Sequence, residues 1–143
     1  MLQSRDQAYA LQVYDRVEKL LGRNRTEQKQ YGSMSHKLPV LIRSAGLSQA
    51  LAFVAATSKR GKEAKDGAPA KGSPHRQLLD DLAQSLNLKD ADTLLTESRR
   101  APLDEYIFLT QNALAALLWY KRFAQSVLDV ESSDEPDDPD QDR

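Results

Sequence analysis

The sequence contains no cysteine among its 143 residues. Disulfide bonds and thiolate metal ligands are therefore excluded, and nothing indicates an oxidising compartment. The two histidines, His36 and His75, fall in different predicted helices with no acidic pattern beside either. Because a zinc site needs about four ligands at a characteristic spacing, we expect no metal site and no cofactor. We interpret both histidines as solvated.

Long apolar runs are also missing. No stretch approaches the roughly 20 apolar residues that a membrane-spanning helix needs. The first ten residues, MLQSRDQAYA, do not have the apolar core of a signal peptide. We therefore expect a cytoplasmic protein with no membrane partner.

The residue patterns of common active sites are absent as well. The glycines Gly61, Gly67 and Gly72 are scattered through a polar segment and do not join a strand to a helix, as a phosphate-binding loop requires. The adjacent acids Asp80 and Asp81 would point about 100° apart on a helix, so they cannot act together as an acid–base pair. We expect no catalytic residue, no small-molecule substrate and no enzymatic activity.

What the sequence does contain is an uneven distribution of charge. The net charge is −1, but residues 129–143 hold eight acids and one base, which leaves 19 bases and 13 acids in residues 1–128. A basic body with an acidic tail is compatible with a polyanionic partner. We predict one helical domain over residues 1–128 and a disordered acidic tail over 129–143.

Apolar residues recur at helical spacing in every periodic segment, and no segment alternates with period two. The sequence therefore predicts an all-α fold, a single compact bundle of five to six helices. The first helix covers about residues 3–21, and Thr26 is the expected N-cap of the next. Pro39 is expected to kink that helix or to begin a new segment, and Gly46 to end it.

The second half of the chain begins after a polar stretch. Residues 58–73 are rich in glycine and lysine and have no apolar face, so we predict a flexible basic loop. Ser73 and Pro74 then start a helix as N-cap and first residue. Pro102 opens the last helix, whose predicted core face contains Leu103, Tyr106, Ile107, Thr110, Leu114, Leu117, Leu118 and Leu128. A second stripe, Phe108, Trp119 and Phe123, is a candidate partner interface.

Two blocks of residues resemble one known family, the Cmr-type small subunits of type III-B CRISPR effector (RAMP module) complexes. The first block is a tyrosine followed by His36-Lys37-Leu38-Pro39, Leu41-Ile42, Gly46-Leu47 and Ala50-Leu51-Ala52-Phe53. The second is Thr110, Ala113-Leu114 and Trp119-Tyr120-Lys121-Arg122-Phe123-Ala124, with Asn112 where the family pattern has a glutamate.

The resemblance implies a non-catalytic subunit of an RNA-guided antiviral ribonucleoprotein. Its partners would be other subunits of the complex, further copies of itself stacked along the inner filament, and the backbones of guide and target RNA. The candidate phosphate-binding residues are Arg16, Lys19, Arg23, Lys37, Arg43 and Lys121.

Two alternatives stay open at this point. The basic residues of the first helix are also consistent with a solvated face in which Asp15 and Lys19 pair across one helical turn. Lys121 is also explained as a cation near a helix C-terminus. On those interpretations the protein is a helical adaptor that binds protein and does not contact nucleic acid.

Overall fold

The computed structural model describes residues 4–60 and 72–132, and in these ranges it contains six α-helices and no strand. The all-α prediction is confirmed. None of the described helices is long and apolar enough to cross a membrane. The helices are α1 (Arg5–Glu18), α2 (Arg25–Ala45), α3 (Leu47–Arg60), α4 (Pro74–Ser85), α5 (Ala91–Arg100) and α6 (Leu103–Ser126), with a 3₁₀ turn over Lys19–Gly22.

Local capping signals set most of the helix boundaries. The Ser73 hydroxyl accepts a hydrogen bond from the Arg76 amide at 3.1 Å, so the predicted start of α4 is confirmed. Gly46 adopts a φ of 92° and separates α2 from α3, as its position predicts. The N-cap of α2 is Asn24, whose side chain accepts from the Glu27 amide at 2.8 Å, so the prediction of Thr26 is wrong.

Helix α2 is the central element of the packing, because it contacts α3, α4 and α6. Its buried side chains include Tyr31, Leu38 and Ile42. Pro39 is buried inside the helix and does not begin a new segment. Helix α6 in turn lies against both α1 and α2, so it joins the first helix of the chain to the central one.

The core face of α6 differs from the predicted one. Its buried residues are mostly small: Ala113, Ala116, Leu117, Tyr120 and Ala124. By contrast, Leu103, Ile107 and Leu118, which the sequence placed in the core, are exposed to 73%, 47% and 48%. The apolar periodicity selected the large side chains, whereas the helix packs through its alanines, because small residues let two helices approach closely.

The chain after α6 folds back onto α2 as a C-terminal clasp, residues 128–130. Leu128 and Val130 are buried, and the Val130 carbonyl accepts a hydrogen bond from Nε2 of His36 at 2.9 Å. Arg25 donates to the carbonyl oxygens of Leu128 and Asp129. The packed body therefore continues beyond residue 128, where the sequence placed its end. Residues 61–71 of the predicted loop and 133–143 of the predicted tail lie outside the described ranges.

Candidate nucleic-acid interface

Three of the six predicted phosphate-binding residues come together in one groove. Arg16 at the end of α1, Lys19 in the 3₁₀ turn and Arg23 just after it line a depression of about 880 Å³ between α1 and α4. The facing helix adds Arg76, and the turn after it adds Lys89. Both escaped the sequence analysis, because no local signal shows that α4 faces the first helix.

The groove is close to balanced in charge. Its lining contains five bases and four acids, so both signs of charge are present in nearly equal number. Arg76 pairs with Asp80 at 3.4 Å and also with Asp92 at 3.4 Å. A phosphate entering this groove would meet carboxylates as well as guanidinium groups. The four acids in the lining are Asp15, Asp80, Asp81 and Asp90.

Two of the predicted bases in the groove have partners inside the protein. Arg16 is half-buried, and its Nη1 donates to the Ser85 hydroxyl at 2.9 Å. Arg23 donates to the Gly72 carbonyl and lies 3.7 Å from a carboxylate oxygen of Glu27. Lys19 is exposed and forms no ion pair within the described residues, so the pairing with Asp15 that the solvated-face alternative invokes is not present.

The Arg16 contact belongs to a buried polar network that links four helices. The Tyr31 hydroxyl donates to Asp81 at 2.7 Å, and the Gln77 amide donates to the other carboxylate oxygen at 2.8 Å. The Ser85 and Tyr120 hydroxyls are 2.8 Å apart. Since a buried polar group is costly when it loses a partner, this network fixes how α1, α2, α4 and α6 dock together.

Burial shifts the acid–base equilibria of this network. The pKa of the Asp81 carboxyl is raised, because burial disfavours its charged form more than hydrogen bonds from Tyr31 and Gln77 favour it. Burial likewise raises the pKa of the Tyr120 phenol. The adjacent Arg16 charge opposes both shifts. The charge of Arg16 therefore stabilises the ionised form of Asp81, in addition to the hydrogen bond that Arg16 donates to Ser85.

The raised pKa predicts a stability that falls as the pH rises. The folded protein retains the Asp81 proton to a higher pH than the unfolded chain, whose carboxyl titrates near 3.8. The contribution of Asp81 is therefore fully present below that pH and is lost as the pH rises through the folded-state pKa. We expect the difference in the free energy of unfolding between wild type and Asp81→Asn to decrease as the pH rises from about 3.8 through the folded-state pKa. The measurement is urea denaturation of both proteins at a series of pH values. The exposed Asp15→Asn should show no such trend, and a difference that increases with pH would contradict the assignment.

The other three predicted bases are not part of the groove. Lys37 and Arg43 are both exposed on α2, but six residues apart they point about 120° away from each other. Burial, and to a smaller extent the charge of Lys37, lowers the pKa of the His75 imidazole. Lys121 is exposed on α6 beside Arg122. Lys37 and Arg43 therefore lie on different faces of α2, and none of the three bases lines the groove.

The three aromatic residues of the predicted partner interface also separate. Trp119 and Phe123 are half-buried and stack with centroids 5.6 Å apart, and Phe123 meets Tyr14 of α1 edge-on at 5.3 Å. The contact between Phe123 and Tyr14 holds α6 against α1. Phe108 is 62% exposed and is the member of the set most available to a partner.

The interpretation of the histidines as solvated is wrong. His36 is buried against the C-terminal clasp, and His75 is half-buried near the start of α4. Neither is grouped with acids that would make a ligand set: within residues 4–60 and 72–132, no three histidine, aspartate or glutamate side chains are placed to hold a metal ion.

Comparisons with known proteins place these features in a family. The family of CRISPR-associated proteins described as Cas_Cmr5 matches residues 5–127. A Thermus thermophilus protein named CRISPR system Cmr subunit Cmr5 is 43% identical over 129 residues, which cover 90% of this chain and 99% of that one. The crystal structure of a CRISPR-associated Cmr5 family protein from the same organism superposes with a TM-score of 0.72 at 37% identity, covering 90% of this chain and 100% of that one. The resemblance found in the two sequence blocks is confirmed, and the chain belongs to the Cas_Cmr5 family of CRISPR-associated proteins.

Proposed function

We propose that the chain is a non-catalytic subunit of a type III-B (Cmr) RNA-guided antiviral complex. The observation that carries this proposal is the 43% identity to a named Cmr subunit across nearly the full length of both chains. The described residues offer no metal-binding group, and their conspicuous titratable cluster is a network of hydrogen bonds between helices. The proposed role is therefore to supply shape and charge, while cleavage belongs to other subunits.

We further propose that copies of the chain stack along the inner filament and hold the RNA by its phosphates. Support comes from the charge distribution, since residues 1–60 contain ten bases and four acids whereas residues 72–132 contain six and nine. Lys19, Lys37 and Arg43 are exposed in the basic half without an ion pair among the described residues. Arg16 and Arg23 contribute less to RNA, because they already bind groups within the protein.

Lys121 is assigned the same role on α6. It is exposed and unpaired among the described side chains, and it follows Tyr120, which anchors the helix to the core. Phosphate contacts fix the position of RNA without reading its bases. Sequence recognition is thereby left to pairing between guide and target, as in other guided systems.

Charge reversal tests the phosphate contacts. In the complex purified with a tagged chain, the triple variant Lys19→Glu, Lys37→Glu, Arg43→Glu should bind RNA more weakly and with a flatter salt dependence. The loss of three single-strand phosphate contacts should reduce the slope of log affinity against log salt by about 2. The measurement is filter binding across a salt series.

A matched variant controls for net charge. Arg99→Glu, Arg100→Glu, Arg122→Glu changes the charge equally, but its positions are exposed in the acidic half of the chain and do not line the groove between α1 and α4. We expect it to retain the wild-type slope. Equal losses in both triple variants would show that only net charge matters, and no loss in either would remove the RNA contact from the proposal.

A second candidate is a helical adaptor that contacts protein alone. The exposed apolar residues of α6, such as Leu103 and Phe108, favour it, because they are suited to contacts with protein. Nuclease treatment separates the two roles. If RNA protection is unchanged when the tagged chain is omitted from the complex, the adaptor is the better description.

A further inference from the structure

A second groove lies on the side of α6 where Phe108 is exposed. It has a volume of about 530 Å³ and runs between the turn after α4, the end of α5 and the first half of α6. Its apolar floor includes Leu86, Leu88 and Leu109, each packed against the hydrophobic core. Phe108 stands beside this floor with 62% of its surface exposed.

The part of the floor formed by Leu86 and Leu88 is rigid. Asn87 between them adopts a left-handed φ of 63°, and the Leu88 amide donates to the Ala83 carbonyl at 2.8 Å. The Asn87 amide donates to the Gln84 carbonyl at 3.0 Å. These paired bonds are the Schellman arrangement that ends a helix. Because this part of the floor is already ordered, a ligand would not have to order it on binding.

Every ionisable side chain in the lining of this groove is an acid: Glu97, Asp104 and Glu105. Glu97 is partly compensated by Arg100 at 3.0 Å. Asp104 and Glu105 suit the first turn of α6, where the helix dipole favours acids. That preference explains the two acids of α6, but it does not explain why the same groove also contains an exposed phenylalanine and a third carboxylate.

The charge selects the class of partner. A nucleic acid would place phosphates against the carboxylates, and this repulsion excludes the groove as an RNA site. A partner with cations beside an apolar side chain would complement both the apolar floor and the carboxylates of the groove. We propose that this groove docks a basic amphipathic helix of a partner protein, with an aliphatic or aromatic side chain against Phe108 and flanking lysines or arginines beside Glu97, Asp104 and Glu105.

Two synthetic peptides test the proposal with the full-length chain. The first is an amphipathic helix of about 15 residues with leucines on one face and lysines beside them, and the second replaces each lysine by glutamate. Fluorescence anisotropy of the labelled peptides should show binding of the lysine peptide and none of the glutamate peptide. Phe108→Ala should weaken the lysine peptide at least about tenfold, because it removes the anchor contact.

Neighbouring positions supply the controls. Ile107→Ala changes the adjacent exposed residue of α6, which does not line the groove, and should leave the affinity unchanged. Glu105→Lys should weaken the lysine peptide and allow the glutamate peptide to bind. Equal binding of both peptides, no binding of either, or equal effects of Phe108→Ala and Ile107→Ala would overturn the proposal.

Two further outcomes identify other occupants. Self-association in sedimentation that is lost in Phe108→Ala would show that a second copy of this chain fills the groove, which contradicts the proposal. Loss of RNA-oligonucleotide binding in Phe108→Ala would likewise contradict the proposal, in favour of nucleic acid. The groove and the RNA contacts are tested separately, since Phe108→Ala is expected to leave the salt dependence of RNA binding unchanged.

Discussion

Truncation of Leu117 to alanine is expected to destabilise the protein by about 2–5 kcal/mol, because it leaves a cavity in the core. The same substitution at Leu118 is expected to change stability by less than about 0.5 kcal/mol. These adjacent leucines of α6 are 0% and 48% exposed. The measurement is the free energy of unfolding from urea denaturation of each variant.

The pair distinguishes the observed packing of α6 from the one that periodicity predicted. The sequence placed both leucines on the core face, and in that arrangement both truncations would be costly. The structure buries Leu117 with Ala113 and Tyr120 and leaves Leu118 outside. Equal losses at the two positions would contradict the observed orientation of the helix. Unchanged denaturant slopes would show that each comparison is between similar folded and unfolded states.

Substitution of Gly32 by alanine is the second large effect. A Cβ atom at this position of α2 would lie 2.7 Å from the Cβ of Val130, well inside van der Waals contact. We expect a loss of about 1–3 kcal/mol from overpacking, even though alanine is the better helix former. Gly22→Ala is the matched control, since nothing lies within 4 Å of its added methyl group.

A double-mutant cycle isolates the contact with the C-terminal clasp. In a Val130→Gly background the obstruction is gone, so Gly32→Ala should be neutral or should stabilise by up to about 1 kcal/mol through helix propensity. The sign of the Gly32→Ala effect should thus depend on residue 130. An unchanged loss in the Val130→Gly background would show that the clasp does not cause it.

Much of the helical framework could be predicted from neighbours along the chain. Ser73, Asp90 and Gly46 each fix a helix boundary through a side chain or a dihedral angle within a few residues of their own position. Apolar periodicity also identified Leu117 and Leu128 as core residues. Two separate blocks of sequence were sufficient to indicate the family, which the comparisons confirm.

The candidate sites could be predicted less well from neighbouring residues in the sequence. The clustering of Arg16, Lys19 and Arg23 follows from helical spacing, but the carboxylates opposite them come from α4, far along the chain. Phe108 and Trp119 share a predicted stripe, yet one is exposed in a groove and the other packs on Phe123. Periodicity finds the residues of a face, and it does not tell which neighbouring helix covers them.

The sequence by itself determined that the protein is helical, where most of its helices begin and end, and to which family it belongs, because these depend on residues close together in the chain or on the residue pattern directly. Only the tertiary structure decided that α6 packs through its alanines, that His36 is buried against Val130, and that Arg16 donates a hydrogen bond to Ser85. Those contacts join residues as far as 94 positions apart. Their outcome depends on how closely whole helices approach each other, which side-chain size at the interface controls and no local pattern records.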